Sequence, residues 1–132
     1  MIDELILKAK EAREASYSPY SKFKVGAAIL MKDGTYILGC NVENSSYGLS
    51  ICAERNALFQ MVAKGYKKGD ALAMCIIGQT DTPISPCGAC RQVMEELLSR
   101  DCKIILANLK NDVKEMTIDE LLPYSFSEDS LK

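Results

Sequence analysis

Ala71-Leu72-Ala73-Met74-Cys75-Ile76-Ile77 is the stretch that decides the fold, because its uninterrupted apolar character predicts a strand buried on both faces. The segments that flank it, 52–64 and 87–99, each carry apolar residues at helical spacing. A strand with two buried faces needs helices to cover the sheet that contains it. The centre of the sequence therefore predicts an α/β fold.

The residues before this centre predict a helix followed by a β-hairpin. Segment 3–16 has a helical apolar period, which Pro19 prevents from continuing. Segments 23–31 and 36–41 have strand character, and Asp33-Gly34 between them is a tight-turn signal. Two further strands are thus expected to join the sheet as an antiparallel pair.

The residues after the centre predict two more strands and a short helix. Segment 103–107 is a short apolar strand, and 113–116 follows a connection that is too short for a crossover helix. These two strands should therefore run antiparallel. Thr117-Ile118-Asp119-Glu120 is a capping box that starts a helix of one turn, which Pro123 stops. Together the elements predict one three-layer α/β/α domain over residues 1–132, with a mixed five-stranded sheet covered by helices on both faces.

The charge pattern indicates a small-molecule substrate. The formal net charge is −2, charged residues make up 26% of the chain, and lysines and glutamates are interleaved. Nucleic-acid-binding domains carry a basic stripe or patch, which this sequence lacks. A small neutral or weakly charged ligand fits the chain better, and no nucleic-acid partner is expected.

The cysteine content indicates metal chemistry. The chain has six cysteines and no histidine. It begins Met1-Ile2-Asp3-Glu4, without the basic start of a secretory signal, and no apolar stretch is long enough to span a membrane. We therefore expect a reducing cytoplasmic location, where patterned cysteines indicate metal-binding or catalytic roles before disulfides.

Two short motifs carry the chemistry, Cys52-Ala53-Glu54-Arg55 and Pro86-Cys87-Gly88-Ala89-Cys90. Cys87 and Cys90 are three residues apart in a first helical turn, so their sulfurs should point the same way. Cys52 starts the other helix. Because both helix N-termini favour thiolates, the three cysteines predict one zinc site with an open fourth position, as catalytic zinc sites have.

The residues beside these cysteines indicate catalysis. Glu54 lies too close to Cys52 in the chain to bind the same metal easily, but it can reach a water at the open position. Arg55 lies three residues from Cys52, and we expect its guanidinium to bond to the sulfurs and offset their charge. At the second helix, Ser85 is expected to be the cap and Pro86 to occupy the first helical position.

A structural zinc site is the alternative to a catalytic one. It would need a fourth ligand, and the spare cysteines Cys40, Cys75 and Cys102 each lie in or beside an apolar strand. A lone cysteine in that position usually behaves as a small core residue. A zinc-binding protein without activity therefore remains a weaker alternative.

The two motifs resemble those of the small, homotetrameric, three-cysteine cytidine deaminases, and the resemblance covers nearly the whole chain. It includes Tyr17-Ser18-Pro19-Tyr20-Ser21, Phe23-Lys24-Val25-Gly26-Ala27-Ala28, Gly39-Cys40-Asn41-Val42-Glu43-Asn44, and Leu121-Leu122-Pro123 with Phe126. The resemblance implies a cytidine deaminase-like fold, with one zinc per subunit held by Cys52, Cys87 and Cys90. It also implies hydrolysis of cytidine and deoxycytidine to uridine, deoxyuridine and ammonia in pyrimidine salvage, with Glu54 moving the protons.

The same resemblance assigns a nucleoside pocket. Asn41 and Glu43, which share one face of a strand end, would hold the ribose, and Phe23 would form the pocket wall against the base. Tyr47 and Phe126 would contribute across a subunit interface. From the residues alone, a core position for Phe23 and a solvent-facing strand end for Asn41 and Glu43 remain open.

Five further positions complete the expected site. The backbone N–H of Ala53 could bind the pyrimidine carbonyl oxygen, and the backbone carbonyl of Ser85 could accept a hydrogen bond from the leaving amino group. Gln92 and Arg91, which follow Cys90, and Arg55, which follows Glu54, are expected to support the site without binding the substrate.

Two rival activities are weighed against cytidine deamination. A blasticidin-type deaminase is similar in length and shares the three-cysteine site, but Phe23-Lys24-Val25-Gly26 and Asn41-Val42-Glu43-Asn44 look more like the nucleoside enzymes. A polynucleotide deaminase would be expected to have a basic stripe on its surface and a last strand that runs parallel to its neighbour. The sequence indicates neither feature.

Overall fold

Five strands form one mixed sheet in the computed structural model, which describes residues 1–132. They are β1 (Val25–Met31), β2 (Tyr36–Cys40), β3 (Ala71–Gly78), β4 (Lys103–Asn108) and β5 (Val113–Met116). The spatial order is β2-β1-β3-β4-β5, so β3, which contains the continuously apolar stretch 71–77, is the central strand. All of its residues except Leu72 are buried, as its composition predicts.

Helices cover both faces of this sheet, which confirms the predicted three layers. The helices are α1 (Ile2–Glu14), α2 (Ala53–Ala63), α3 (Gly88–Leu97) and α4 (Ile118–Leu121), with short 3₁₀ helices at Tyr47–Leu49 and Glu128–Leu131. Leu5 and Ala9 of α1 pack in one apolar cluster, whereas Leu58 of α2 and Met94 of α3 pack in the larger cluster on the other face. No helix combines the length and the hydropathy that crossing a bilayer would require.

The pairing of the strands agrees with the expected directions. β1 pairs antiparallel with β2 and with β3, β3 pairs parallel with β4, and β4 pairs antiparallel with β5. The tight return from β4 to β5 is organised by Asn108, which is fully buried. Its Oδ1 accepts hydrogen bonds from the backbone N–H groups of Lys110 and Asp112 at 3.0 and 2.9 Å. The buried amide thus fixes the antiparallel last strand.

Two glycines bring helices unusually close to the sheet. A Cβ on Gly39 of β2 would lie 2.5 Å from the backbone nitrogen of Ala57 and 2.8 Å from the carbonyl oxygen of Ala53, both in α2. A Cβ on Gly26 of β1 would lie 2.5 Å from the backbone nitrogen of Arg13 in α1 on the other face. Close approach at Gly39 sets the position of the N-terminus of α2.

The beginnings of α2 and α3 differ from the sequence-based expectation. Cys52 is the N-cap of α2, and Cys87 is the N-cap of α3. The prediction that Ser85 caps α3 with Pro86 at its first position is therefore wrong. Cys87 takes that role because its Sγ accepts a hydrogen bond from the backbone N–H of Cys90 at 3.5 Å.

Candidate active site and metal centre

Three cysteine sulfurs meet where the N-termini of α2 and α3 converge. The Sγ atoms of Cys52, Cys87 and Cys90 all lie within 4.8 Å of one another. Cys87 Sγ is 3.3 Å from Cys90 Sγ and 3.9 Å from Cys52 Sγ. Cys90 is fully buried, Cys52 is partly buried and Cys87 is exposed, so the cluster opens to one side.

The environment of this cluster favours a thiolate. Hydrogen bonding from Cys90, and secondarily from Arg55 and Cys87, lowers the pKa of the Cys52 thiol to about 5, although burial opposes the shift. The hydrogen bond with Cys52, together with burial, raises the pKa of Cys90. Cys52 is therefore suited to bind a metal ion as a thiolate.

The donor set fits zinc at a catalytic site. Thiolate sulfur is a preferred zinc ligand, and three protein ligands leave one tetrahedral position for a water or a substrate. The remaining cysteines, Cys40, Cys75 and Cys102, lie outside the cluster. Burial raises the pKa of Cys75 and of Cys102 to about 12, so both remain thiols in the core. A closed four-thiolate site is thus excluded.

Arg55 places a cation against the sulfurs, in the position that the sequence predicts. Its Nη2 donates to Cys52 Sγ at 3.5 Å. That hydrogen bond is the largest of the effects that raise the pKa of the guanidinium, which is therefore charged at any relevant pH. Its Nε is buried without a hydrogen-bond partner. The contact with Cys52 Sγ is thus the one hydrogen bond that the guanidinium makes.

Glu54 lies in the first turn of α2, and only 5% of its surface is exposed. Burial raises the pKa of its carboxyl group, and the negative charge of Cys52 raises it further, while hydrogen bonds partly oppose these effects. A carboxyl group held in this position can act as a general acid and base. The position of Glu54 beside the sulfurs suits it for proton transfer.

A cavity of about 370 Å³ opens onto the sulfurs and this carboxyl group. Its volume lies in the range of small-molecule sites. Its lining includes Phe23, Asn41, Glu43, Tyr47, Ala53, Glu54, Arg55 and Ser85, together with Cys52 and Cys87. Most of the residues proposed from the sequence therefore surround one cavity, and two of the three clustered cysteines are among them.

Comparison with known proteins identifies the family that has this site. Residues 2–106 match the family model for the cytidine and deoxycytidylate deaminase zinc-binding region. The chain belongs to the cytidine and deoxycytidylate deaminase family. It is therefore a deaminase, zinc is its cofactor, and the cluster able to hold the metal is Cys52, Cys87 and Cys90.

Individual relatives match this deaminase over almost their full length. The cytidine deaminase of Halalkalibacterium halodurans is 51% identical over 127 residues, which are 96% of this chain and 95% of that protein. The cytidine deaminase of Sporosarcina psychrophila is 48% identical over 130 residues, 98% of this chain and 94% of the relative. A crystal structure of cytidine deaminase from Burkholderia pseudomallei superposes with a TM-score of 0.93 at 51% identity, covering 96% and 99% of the two chains. The fold is thus a cytidine deaminase fold.

Besides the buried Cys90, three of the residues proposed from the sequence lie outside the cavity of the deaminase, namely Phe126, Gln92 and Arg91. Phe126 is 61% exposed, and its side chain is not part of the lining. Gln92 Nε2 donates to the backbone carbonyl of Phe126 at 2.8 Å and so holds the C-terminal segment against α3. Within one chain, Gln92 contacts the tail and not the cavity.

Arg91, proposed from the sequence as a supporting residue, contacts the segment that precedes α3. Its Nε and Nη1 donate at 2.8 Å to the backbone carbonyls of Pro86 and Leu121, and its Nη2 donates to Ser85 Oγ at 2.7 Å. One guanidinium thus joins the segment before α3 to the end of α4. The only sequence signal was an arginine directly after a ligand cysteine, which does not reveal such distant partners.

Ile84, Ile51 and Ser50 also line the cavity and were not predicted. Ile84 is buried and packs against the position of Gly78 at the end of β3. Apolar residues in irregular segments carry no periodic signal, so the sequence gives no reason to select them.

Proposed function

We propose that this deaminase hydrolyses cytidine and deoxycytidine to uridine and deoxyuridine, with release of ammonia. The observation that carries the proposal is the buried carboxyl group of Glu54, which lines the same cavity as Cys52 and Cys87. A structural zinc site has no use for such a group. The names of the similar proteins support cytidine as the substrate.

The cavity lining gives the substrate an orientation. The base would lie beside the sulfurs and Glu54, against Phe23, and the sugar would reach Asn41 and Glu43. The backbone N–H of Ala53, at the start of α2, would donate to the pyrimidine carbonyl oxygen, because N–H groups in a first helical turn have no partner in the helix.

Zinc held by Cys52, Cys87 and Cys90 would supply a water of lowered pKa, roughly 7, as the nucleophile. Arg55 would counteract the electron donation of three thiolates through its bond to Cys52 Sγ. Replacement of the amino group by a hydroxyl group then needs only proton transfers from the protein.

Glu54 would perform these transfers. Its carboxylate takes a proton from the attacking water and passes it to the ring nitrogen beside the reacting carbon. It then moves the second proton of that water to the amino group, which leaves as ammonia. Its burial in the wall of the same cavity as Cys52 and Cys87 suits it to both halves of the cycle. The backbone carbonyl of Ser85, in the cavity wall, would accept a hydrogen bond from the leaving group.

We further propose that the enzyme is a cytoplasmic homotetramer that acts in pyrimidine salvage. Tyr47, Leu49 and Phe59 are large apolar side chains with 71%, 71% and 49% of their surface exposed. Burial of such residues would stabilise a subunit interface. Phe126, which does not reach the cavity of its own chain, would then line the cavity of a neighbouring subunit.

An absorbance assay tests the function. Purified protein is mixed with cytidine, and the loss of cytidine absorbance is followed with and without a strong zinc chelator. We expect turnover that the chelator removes and added zinc restores, with one ammonia released per uridine formed. Zinc binding without turnover of any cytosine nucleoside would instead favour a structural zinc protein. Turnover of blasticidin in preference to cytidine would favour the rival deaminase.

A further inference from the structure

We propose that Ser21 is a positioning residue for the sugar-binding carboxylate of Glu43. This inference rests on the proposed function, because it concerns the part of the cavity that would hold the sugar. Ser21 is exposed and is not part of the cavity lining. It would act on the substrate only through Glu43.

Three hydrogen bonds hold the carboxylate of Glu43. Its Oε1 accepts from the backbone N–H groups of Tyr20 and Ser21 at 3.0 and 3.1 Å. Its Oε2 accepts from the hydroxyl group of Ser21. These bonds, with that of the Ser21 side chain the largest contribution, keep the pKa of Glu43 below its usual value. The carboxylate is therefore ionised and can only accept further hydrogen bonds.

The segment that supplies these donors is itself fixed in place. The backbone N–H of Lys22 donates to the carbonyl of Ser18 at 3.0 Å, and Lys22 has a left-handed φ of 60°. Ser21 Oγ also accepts from the backbone N–H of Phe23 at 3.0 Å. The backbone N–H of Glu43 donates to the carbonyl of Tyr17 at 2.8 Å. The chain thus turns tightly beside the end of β2 and aims its donors at one carboxylate.

The neighbouring Asn41 is held in a similar way. Its Oδ1 accepts from the hydroxyl group of Ser16 and from the backbone N–H of Val25, the latter at 2.9 Å. Its Nδ2 donates to the carbonyl of Phe23 at 2.7 Å. These partners fix the orientation of the amide and leave one of its two N–H groups free.

The remaining capacity of the pair defines its ligand. An ionised carboxylate has about four acceptor positions, of which three are filled at Glu43. Asn41 has one free N–H and Glu43 has one free acceptor position, so together they fit a single hydroxyl group that accepts from one and donates to the other. If the Ser21 hydroxyl were absent, Oε2 would lose its donor and the carboxylate could rotate away from this arrangement.

A double-mutant cycle on cytidine turnover tests the inference. Ser21→Ala should raise KM on the order of tenfold, the effect of losing one hydrogen bond to a charged group, and leave kcat within about twofold. Ser21→Thr, which keeps the hydroxyl group, should retain most of the affinity. In a Glu43→Ala background, Ser21→Ala should change KM no further, because the group that it positions is gone.

Ser99→Ala is the matched control. Ser99 Oγ donates to the carboxylate of Asp101 at 2.5 Å beyond the C-terminal end of α3, away from the cavity. The KM and kcat of Ser99→Ala for cytidine should equal those of the wild type.

Two results would overturn the inference. One is an unchanged KM in Ser21→Ala. The other is an equal rise in KM with and without Glu43, which would show that Ser21 supports the loop alone. The turnover of the wild-type enzyme distinguishes a failure of the proposed function from a failure of the inference on Ser21. If the zinc-loaded wild type is inactive on cytidine, the proposed function and this inference are both refuted. If the wild type is active and Ser21→Ala has the same KM as the wild type, only the inference is refuted.

Discussion

Replacing Gly39 by alanine should separate the two halves of the metal site. The added Cβ would lie 2.5 Å from the backbone nitrogen of Ala57, whereas ordinary van der Waals contact begins at 3.4 Å. Because the obstacle is helix backbone, α2 must move away from β2 by about 0.9 Å. This helix carries Cys52 and Glu54, while the other two sulfurs belong to α3.

The expected effects follow from the size of this displacement. Overpacking of this kind destabilises a protein by about 1–3 kcal/mol, which for a chain of this length lowers the melting temperature by roughly 4–11 °C. A misplacement near 1 Å can reduce catalysis on the order of 10²-fold. Gly39→Ala should therefore bind zinc more weakly, and its kcat should fall even when the protein is saturated with zinc.

Gly26→Ala provides the matched control for this experiment. Its Cβ would collide with the backbone of α1, on the face of the sheet opposite the sulfurs. Calorimetry and zinc titration with a competing chelator should show a loss of stability in both variants and a loss of zinc affinity in Gly39→Ala alone. Equal zinc affinity in the two variants, or an unchanged melting temperature in Gly39→Ala, would refute the packing argument.

Three other substitutions test separate parts of the site. Arg55→Gln should lower kcat, because the thiolate charge is no longer offset; unchanged activity and zinc affinity would count against that role. Cys90→Ala should reduce the zinc content, measured by mass spectrometry, well below one per chain. Cys75→Ala should retain one zinc, because the Cys75 thiol lies in the core outside the cluster. Loss of zinc in both variants would contradict the ligand assignment. Arg91→Ala should raise KM for cytidine, since the Ser85 segment loses two hydrogen bonds and its link to Leu121 through a third; steady-state kinetics identical to wild type would remove that role.

Local patterns account for what the sequence could predict. The apolar character of 71–77 indicates a strand buried on both faces, and the short connection after 107 leaves only an antiparallel return. The capping box of Thr117 and Glu120 lies within four residues, and both of its hydrogen bonds are present. The convergence of the three sulfurs was predictable because Cys52 lies at the start of one predicted helix and Cys87 and Cys90 lie at the start of another.

The features that escaped prediction depend on distant partners. Cys87 replaces Ser85 as the cap of α3 because its sulfur already lies beside the N–H of Cys90. The bonds between Ser21 and Glu43 join residues 22 positions apart, and those between Arg91 and Leu121 join residues 30 positions apart. No periodicity links such pairs, so only the folded chain reveals them.

The turnover of Glu54→Gln on cytidine tests the central claim most directly. Glutamine keeps the size of the side chain but cannot take up and release a proton, and the three sulfurs that would hold the metal are unchanged. Zinc content and turnover should be measured on the same preparation. The account predicts one zinc per chain, as in the wild type, and a kcat lower by about 10²–10⁴-fold. Deamination at the wild-type rate would show that Glu54 does not carry the protons and would contradict the account.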